Sequence, residues 1–410
     1  MRRQLTWALL ACVLPLGLAC SGCGLTSSGG TGPGATPSRT WAPLFSPPPG
    51  GGFPSLPTPL SCPARVFSGM TEAQRVGQLF LVGLEGDPVS EAAHAAAAYH
   101  FGSWLLGASG TAGVTGTAQL TGAVQSLASA HATDKVRFFI AANQEGGEIQ
   151  ALQGPGFQVM PSALAQGSLS PRTLERQAAD WGRELRSAGV NLDLAPVMDV
   201  VPPGTASQNQ PIGALQREFG DNPGTVAAHG VAFIRGMQQA GVATTAKHFP
   251  GLGRVRGNTD FTAGVVDTVT APDDPYLRSY QAAVNAGVPF VMVALATYTR
   301  IDPRHLAVFS SRVMRLMLRQ QMHFPGVIVS DDLGAAAAVA GIPPRSRAID
   351  FLAAGGDLIT SQTLDAAAAM DRAILGHIAV DAGFRAVVNS AVMRVLSAKQ
   401  AYGLLPCSRH

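Results

Sequence analysis

The chain has 410 residues, a formal net charge of +3, 46% hydrophobic and 13% charged residues. That hydrophobic share is too high for a disordered chain, and the few positive charges form no basic run of the kind that holds nucleic acid, so a nucleic-acid partner is excluded. Beyond Cys20 and Cys23 near the N-terminus, no C-x-x-C or H-E-x-x-H spacing announces a metal site.

In chain order, the first element is "MRRQLTWALLACVLPLGLACSGCG": two arginines, an apolar stretch from Leu5 to Leu18, then small residues and cysteine. This is the layout of a secretory signal peptide over residues 1–19, too short for a stable membrane span. Leu16-Gly17-Leu18-Ala19-Cys20 resembles a bacterial lipobox, with Cys20 as the lipidated residue; Cys23 is the less favoured acceptor, and plain secretion with cleavage near Ala19 is the alternative. The expected location is extracytoplasmic, as a membrane-anchored lipoprotein of the cell envelope or a secreted protein, with the N-terminal lipid as its membrane contact. Residues 20–59 are rich in Gly, Pro, Ser and Thr and predict a flexible linker. Residues 60–410 then read as a single domain. Cys62 and Cys407 bracket it, and in an oxidising compartment they predict a disulfide joining its ends, two unpaired thiols being the alternative.

Within the domain, "LERQAADWGRELRSAGVNLDLAPVMDV", "AAHGVAFIRGMQQAGVATTAKHFPG", "LRSYQAAVNAGVPFVMVALATY" and "SRAIDFLAAGGDLITSQ" share one grammar: a helical pattern, an Ala-Gly break, and an apolar run ending in polar residues. Gly189, Gly241, Gly287 and Gly355 fit the position after a helix, while Ser170-Pro171 and Asn222-Pro223 fit helix starts. Strands are predicted near Val76–Leu84, Ser103–Leu106, Val136–Ala142, Asn191–Val197, Ala243–Lys247, Phe290–Leu295, Val327–Ser330 and Leu358–Thr360. Helix and strand alternate, so the fold class is α/β. A (β/α)8 TIM-type barrel suits eight such strands better than an open sheet, and its chemistry belongs at the strands' C-terminal ends.

Those ends carry Asn143, Gln144 and Glu145, Asp193 and Asp199, Lys247 and His248, and Asp331 and Asp332. Polar groups at the end of an apolar strand are costly to desolvate unless paired, so their convergence marks a site. For single residues a structural role competes: Asp199 or Asp332 as a helix cap, Asp193 as a buried hydrogen-bonded spacer.

In chain order, "NLDLAPVMDV", "REFGDNP", "KHFPGLG" followed by an Asp, and "GVIVSDDLG", between about Ser68 and Leu404, resemble the motifs of family 3 glycoside hydrolases, in particular their single-domain β-N-acetylglucosaminidases. The resemblance implies a (β/α)8 barrel and retaining hydrolysis of terminal β-linked N-acetylglucosamine or a related glycoside, as in the turnover of cell-wall muropeptides. The implied partner is a carbohydrate, a β-linked amino sugar or peptidoglycan fragment, with no cofactor and no metal, and the chain is expected as a monomer. It makes Asp331 the nucleophile and Arg217, Lys247 and His248 sugar contacts, with Asn143 standing where the family has an aspartate that contacts the sugar. In the family the loop reads K-H-F-P-G-H-G and ends D-S-H, an Asp-His dyad that protonates the leaving oxygen. Here Leu252 replaces the first loop histidine, and Thr262 stands where the dyad histidine belongs, after Asp260. Glu148 and Ala151 stand where arginines are usual, and "MVALATY" lacks a histidine often found after the sixth strand. Asp260 or Glu145 would then have to serve directly as the carboxylic acid. The competing reading is a catalytically impaired glycan-binding or scaffold lipoprotein on the same barrel, and a phosphate-binding aldolase is a weaker third.

Overall fold

The computed structural model describes residues 60–107 and 110–408; the signal peptide, Cys20 and the Gly/Pro/Ser-rich linker fall outside the described residues. Eight strands form one parallel sheet: β1 (Phe80–Leu84), β2 (Ser103–Leu106), β3 (Phe139–Ala142), β4 (Leu192–Asp193), β5 (Ala243–Phe249), β6 (Phe290–Val293), β7 (Val327–Ser330) and β8 (Ile359–Ser361). Their order is β7-β6-β5-β4-β3-β2-β1-β8, and a parallel bridge from Val329 to Leu358 brings the two edges together. The sheet is therefore a (β/α)8 barrel. Its strands are buried almost throughout, as apolar runs rich in Val, Ile and Phe require when helices cover the outside and side chains fill the inside.

A helix follows each strand: α1 (Pro88–Tyr99), α2 (Gly113–Ser126), α3 (Pro171–Ser187), α4 (Pro223–Gln239), α5 (Arg278–Asn285), the π-helix α6 (Arg312–Gln321), α7 (Pro344–Ala354) and α8 (Leu364–Val380). The Ser170 and Asn222 side chains accept from the amides of Thr173 and Thr225, opening α3 and α4 as their sequences predict. Gly189, Gly241, Gly287 and Gly355 all have positive φ, and a Cβ on Gly189 would come within 2.1 Å of Thr121 Oγ1.

Several predicted boundaries move: the third, fourth and sixth strands are shorter than expected, at Phe139–Ala142, Leu192–Asp193 and Phe290–Val293, and two further shifts matter more. The strand expected from Val76 starts only at Phe80, because Thr71 and Gln74 form a capping box that winds Glu72–Gly77 into a helix with Val76 buried inside it. The fifth strand runs past Lys247 to Phe249, so His248 sits on the strand with Lys247 and not on the loop after it. At the ends of the domain, Cys62 and Cys407 are joined by a disulfide with Cα atoms 6.0 Å apart. The helix Cys62–Gly69 packs on the last long helix, Ala382–Ala401. Buried Asp357 accepts from Arg319, Arg394 and the Ile328 amide, tying α6 and that last helix to β7.

Candidate active site

At the C-terminal end of β3 the chain turns into a short ribbon, Gln144–Gly146 paired with Ile149–Gln150, which places Glu145 over the barrel mouth. Both carboxylate oxygens of Glu145 are occupied. They accept from Arg217 Nε and Nη2, each at 2.8 Å, and Lys247 Nζ lies 2.7 Å away. Lys247 also donates to Asn143 Oδ1 at 2.9 Å, and Arg217 Nη1 to the Pro211 carbonyl at 2.8 Å. Burial alone would raise the Glu145 carboxyl, but the two cations outweigh it and hold it at about 2. Glu145 is therefore ionised and fully engaged. The expectation that it could serve as an acid is corrected: its role is to fix Arg217 and Lys247 in place.

Beside this cluster, His248 Nδ1 lies 2.8 Å from Asp199 Oδ2, while Asp199 Oδ1 accepts from Tyr280 Oη at 2.6 Å and from the amides of Leu252 (2.9 Å) and His248 (3.2 Å). Asp199 caps no helix. Burial would raise its carboxyl, and His248 with Tyr280 and Leu252 draws it below the usual range instead. The imidazole is thereby oriented, with its other ring nitrogen left for a ligand. Deeper, Asp193 accepts from the Gln144 amide at 3.0 Å, and its second oxygen has no partner among the described residues. Burial pushes this carboxyl well above the ordinary range, against the pull of the Gln144 amide and Lys247.

Asp331 is the first residue after β7, and its Oδ1 accepts from the Asp332 amide at 2.9 Å. Asp332 is a structural clamp: it accepts from the amides of Gly334 (2.8 Å), Ala335 (2.9 Å) and Gln362 (2.9 Å), locking the turn after β7 to the end of β8. The loop after β5 is pinned to the same region, since Ala337 and Ala338 donate backbone hydrogen bonds to the carbonyls of Asp260 (3.0 Å) and Thr259 (3.1 Å). Asp260 is exposed as a residue while its carboxyl lines the cavity. Around its carboxyl, the packing of the cavity wall and then the charge of Asp331 push it up to about 6, against the pull of His248 and Arg217.

Asn143, Arg217, Lys247, His248, Asp260 and Asp331 all line one cavity of about 430 Å³, within the usual range for a small-molecule site. Thr262 is exposed and does not line it; its Cγ2 lies 3.2 Å from where a Cβ on Gly257 would be. Among the described residues no group of His, Cys, Asp and Glu is arranged to hold a metal ion. Tyr280 and Phe261 escape a reading of the sequence. The first sits mid-helix with nothing local to link it to Asp199, and the second is one aromatic residue in a polar loop.

The sequence model of the glycosyl hydrolase family 3 N-terminal domain matches residues 71–398. The chain belongs to glycosyl hydrolase family 3. A crystal structure of a β-N-acetylhexosaminidase from Beutenbergia cavernae is similar at 44% identity and a TM-score of 0.79, over 80% of this chain and 98% of that one. The β-hexosaminidase LpqI of Mycobacterium tuberculosis is 29% identical over 95% of this chain and 97% of its own length. A β-hexosaminidase of Stenotrophomonas maltophilia is 35% identical over 54% of this chain, which covers 65% of that relative's length. The chain thus spans just under two thirds of the first curated relatives it matches. Against the family 3 loop pattern, Leu252 is buried with its amide on Asp199, and Ala151 and Glu148 line the cavity where arginines are usual. After β6, Ala294–Ala296 is buried and apolar.

Proposed function

We propose that this chain hydrolyses terminal β-linked N-acetylglucosamine, or a closely related glycoside, with retention of configuration. Asp331 attacks the anomeric carbon and forms a glycosyl-enzyme ester. Asp260 protonates the departing glycosidic oxygen and then, as carboxylate, takes a proton from the water that hydrolyses the ester. Arg217, Lys247, His248 and Asn143 hold the sugar hydroxyls. The observation that carries this reading is the pairing of Asp331 with Asp260 in one cavity, the latter raised to about 6. A carboxyl titrating there can donate a proton near neutrality without a histidine, which is how two-carboxylate glycosidases work.

The same proposal extends to location. The chain is exported, acylated at Cys20 and tethered through residues 20–59, with residues 60–410 as the catalytic barrel acting on muropeptides or other peptidoglycan fragments. The similarity to LpqI over nearly the whole chain supports treating it as a stand-alone hexosaminidase.

The test is hydrolysis of aryl β-glycosides by the purified full-length chain and its Asp331→Asn variant, with the anomeric configuration of the first product read by NMR. Loss of at least ~10³ in kcat and a β-configured product are expected. An unchanged Asp331→Asn rate sinks the mechanism. Sugar binding without turnover in either protein favours the glycan-binding reading, which draws its support from Thr262. Mass spectrometry of the mature N-terminus should show a diacylglyceryl group on Cys20; unmodified Ser21 or Cys20 rules lipidation out.

A further inference from the structure

We propose that Phe261 is the platform on which the leaving-group ring of the substrate rests, making it a specificity-determining residue of the site. The inference deepens the glycosidase reading and rests on it.

Phe261 is 82% exposed and takes no part in the barrel's hydrophobic core. Its neighbours among large, strongly exposed apolar side chains, Val159 and Val380, lie away from the cavity, whereas Phe261 lines it. An aromatic ring left in water forgoes its burial, and a concave site with a free aromatic face is where a ligand supplies that burial. The backbone that carries the ring is held in place. The Phe261 amide donates to the Asn258 carbonyl at 3.1 Å, the Asp260 amide to Asn258 Oδ1 at 3.0 Å, and the preceding carbonyls are latched by Ala337 and Ala338.

Position along the reaction then sets what it meets. Asp260 must reach the glycosidic oxygen, the atom between the hydrolysed sugar and the leaving group. Lys247, His248 and Arg217, which on this reading hold the hydrolysed sugar, line the same cavity. Phe261 directly follows that acid, lines the same cavity and is exposed at its edge, which is the ground for assigning it to the leaving group. A phenyl ring offers no hydrogen bond, so it recognises the apolar C–H face of a second pyranose, which presents a flat row of axial hydrogens to a π-face. The expected ligand class is a β-linked disaccharide or longer glycan, preferred over a lone N-acetylglucosamine unit.

Binding can be measured without turnover by calorimetry on the full-length chain carrying Asp331→Asn, with the β-1,4-linked N-acetylglucosamine disaccharide and the monosaccharide as probes. The disaccharide should bind about five- to tenfold more tightly than the monosaccharide, the range expected of one stacking contact. Adding Phe261→Ala should erase that ratio and leave monosaccharide affinity unchanged, and Phe261→Trp should keep it. A ratio that survives Phe261→Ala, or a ratio near one before the substitution, overturns the proposal while leaving the glycosidase reading intact. If neither sugar binds, the glycosidase reading itself fails and the platform with it.

Discussion

Asp260→Asn is the substitution that separates an acid carboxyl from a bystander. The carboxyl stands at about 6 because the cavity wall crowds it and Asp331 adds a neighbouring negative charge. As the acid it must be protonated in the free enzyme, so wild-type kcat/KM should fall about tenfold per pH unit above roughly pH 6. The amide cannot donate this proton. For an unactivated disaccharide the loss should be ~10²–10⁴ in kcat/KM, or about 3–5 kcal/mol of barrier. A dinitrophenyl glycoside leaves without protonation, and its kcat/KM should fall by less than about tenfold. Its kcat should still drop, because hydrolysis of the ester on Asp331 then lacks a base. Azide, which attacks without losing a proton, should restore that kcat and yield a β-glycosyl azide. The assay is steady-state kinetics on both substrates between pH 4 and 9. Equal losses on both, or survival of the wild-type alkaline limb in Asp260→Asn, would refute the assignment.

Glu145→Gln strips Arg217 and Lys247 of their buried counter-charge and should destabilise the domain by about 3–5 kcal/mol in urea unfolding. The wild-type carboxyl, held at about 2 against an ordinary 4.5, contributes roughly 3 kcal/mol of stability that is present above pH 4.5 and fades as pH falls towards 2. The Glu145→Gln variant should lose that acid slope, and an unchanged slope would contradict the ion-pair account. Tyr280→Phe removes the 2.6 Å hydrogen bond to Asp199 and should cost about 1.5–3 kcal/mol in the same assay. It should also raise KM more than it lowers kcat, since His248 loses orientation and not chemistry. Opening the Cys62–Cys407 disulfide, which closes a loop of 345 residues in sequence, should lower stability by about 2–4 kcal/mol with little effect on the rate of hydrolysis. Thermal unfolding with and without reductant measures it.

The barrel was legible because its repeat is written locally. Ser170-Pro171 and Asn222-Pro223 start helices, the four post-helix glycines end them, and the continuous Val- and Leu-rich runs that follow those glycines suit strands covered on both faces. The strand near Val76 was misplaced because an apolar run looks the same before a helix end as within a strand, and the Thr71–Gln74 capping box decides between them. At the site, residues immediately following a strand were found by their position alone. Partnerships across the barrel were not. Glu145 looks like a spare carboxyl until Arg217, 72 residues later, is seen to close on it. Asp199 reads as a helix cap until His248 and Tyr280 fold against it. The missing histidine at Thr262 is visible in the sequence, but the raising of the Asp260 carboxyl depends on its burial in the cavity and then on the charge of Asp331, both facts of the fold.

The central claim is that Asp331 forms a covalent bond to the sugar. Incubating the full-length chain with a fluorinated N-acetylglucosaminyl fluoride that forms the ester quickly and releases it slowly, then mapping the adduct by mass spectrometry after proteolysis, tests this directly. The account predicts one glycosyl adduct per chain on the peptide containing Asp331, absent in Asp331→Asn. An adduct on Asp260 or Glu145, or rapid turnover of this reagent with no adduct at all, would contradict it.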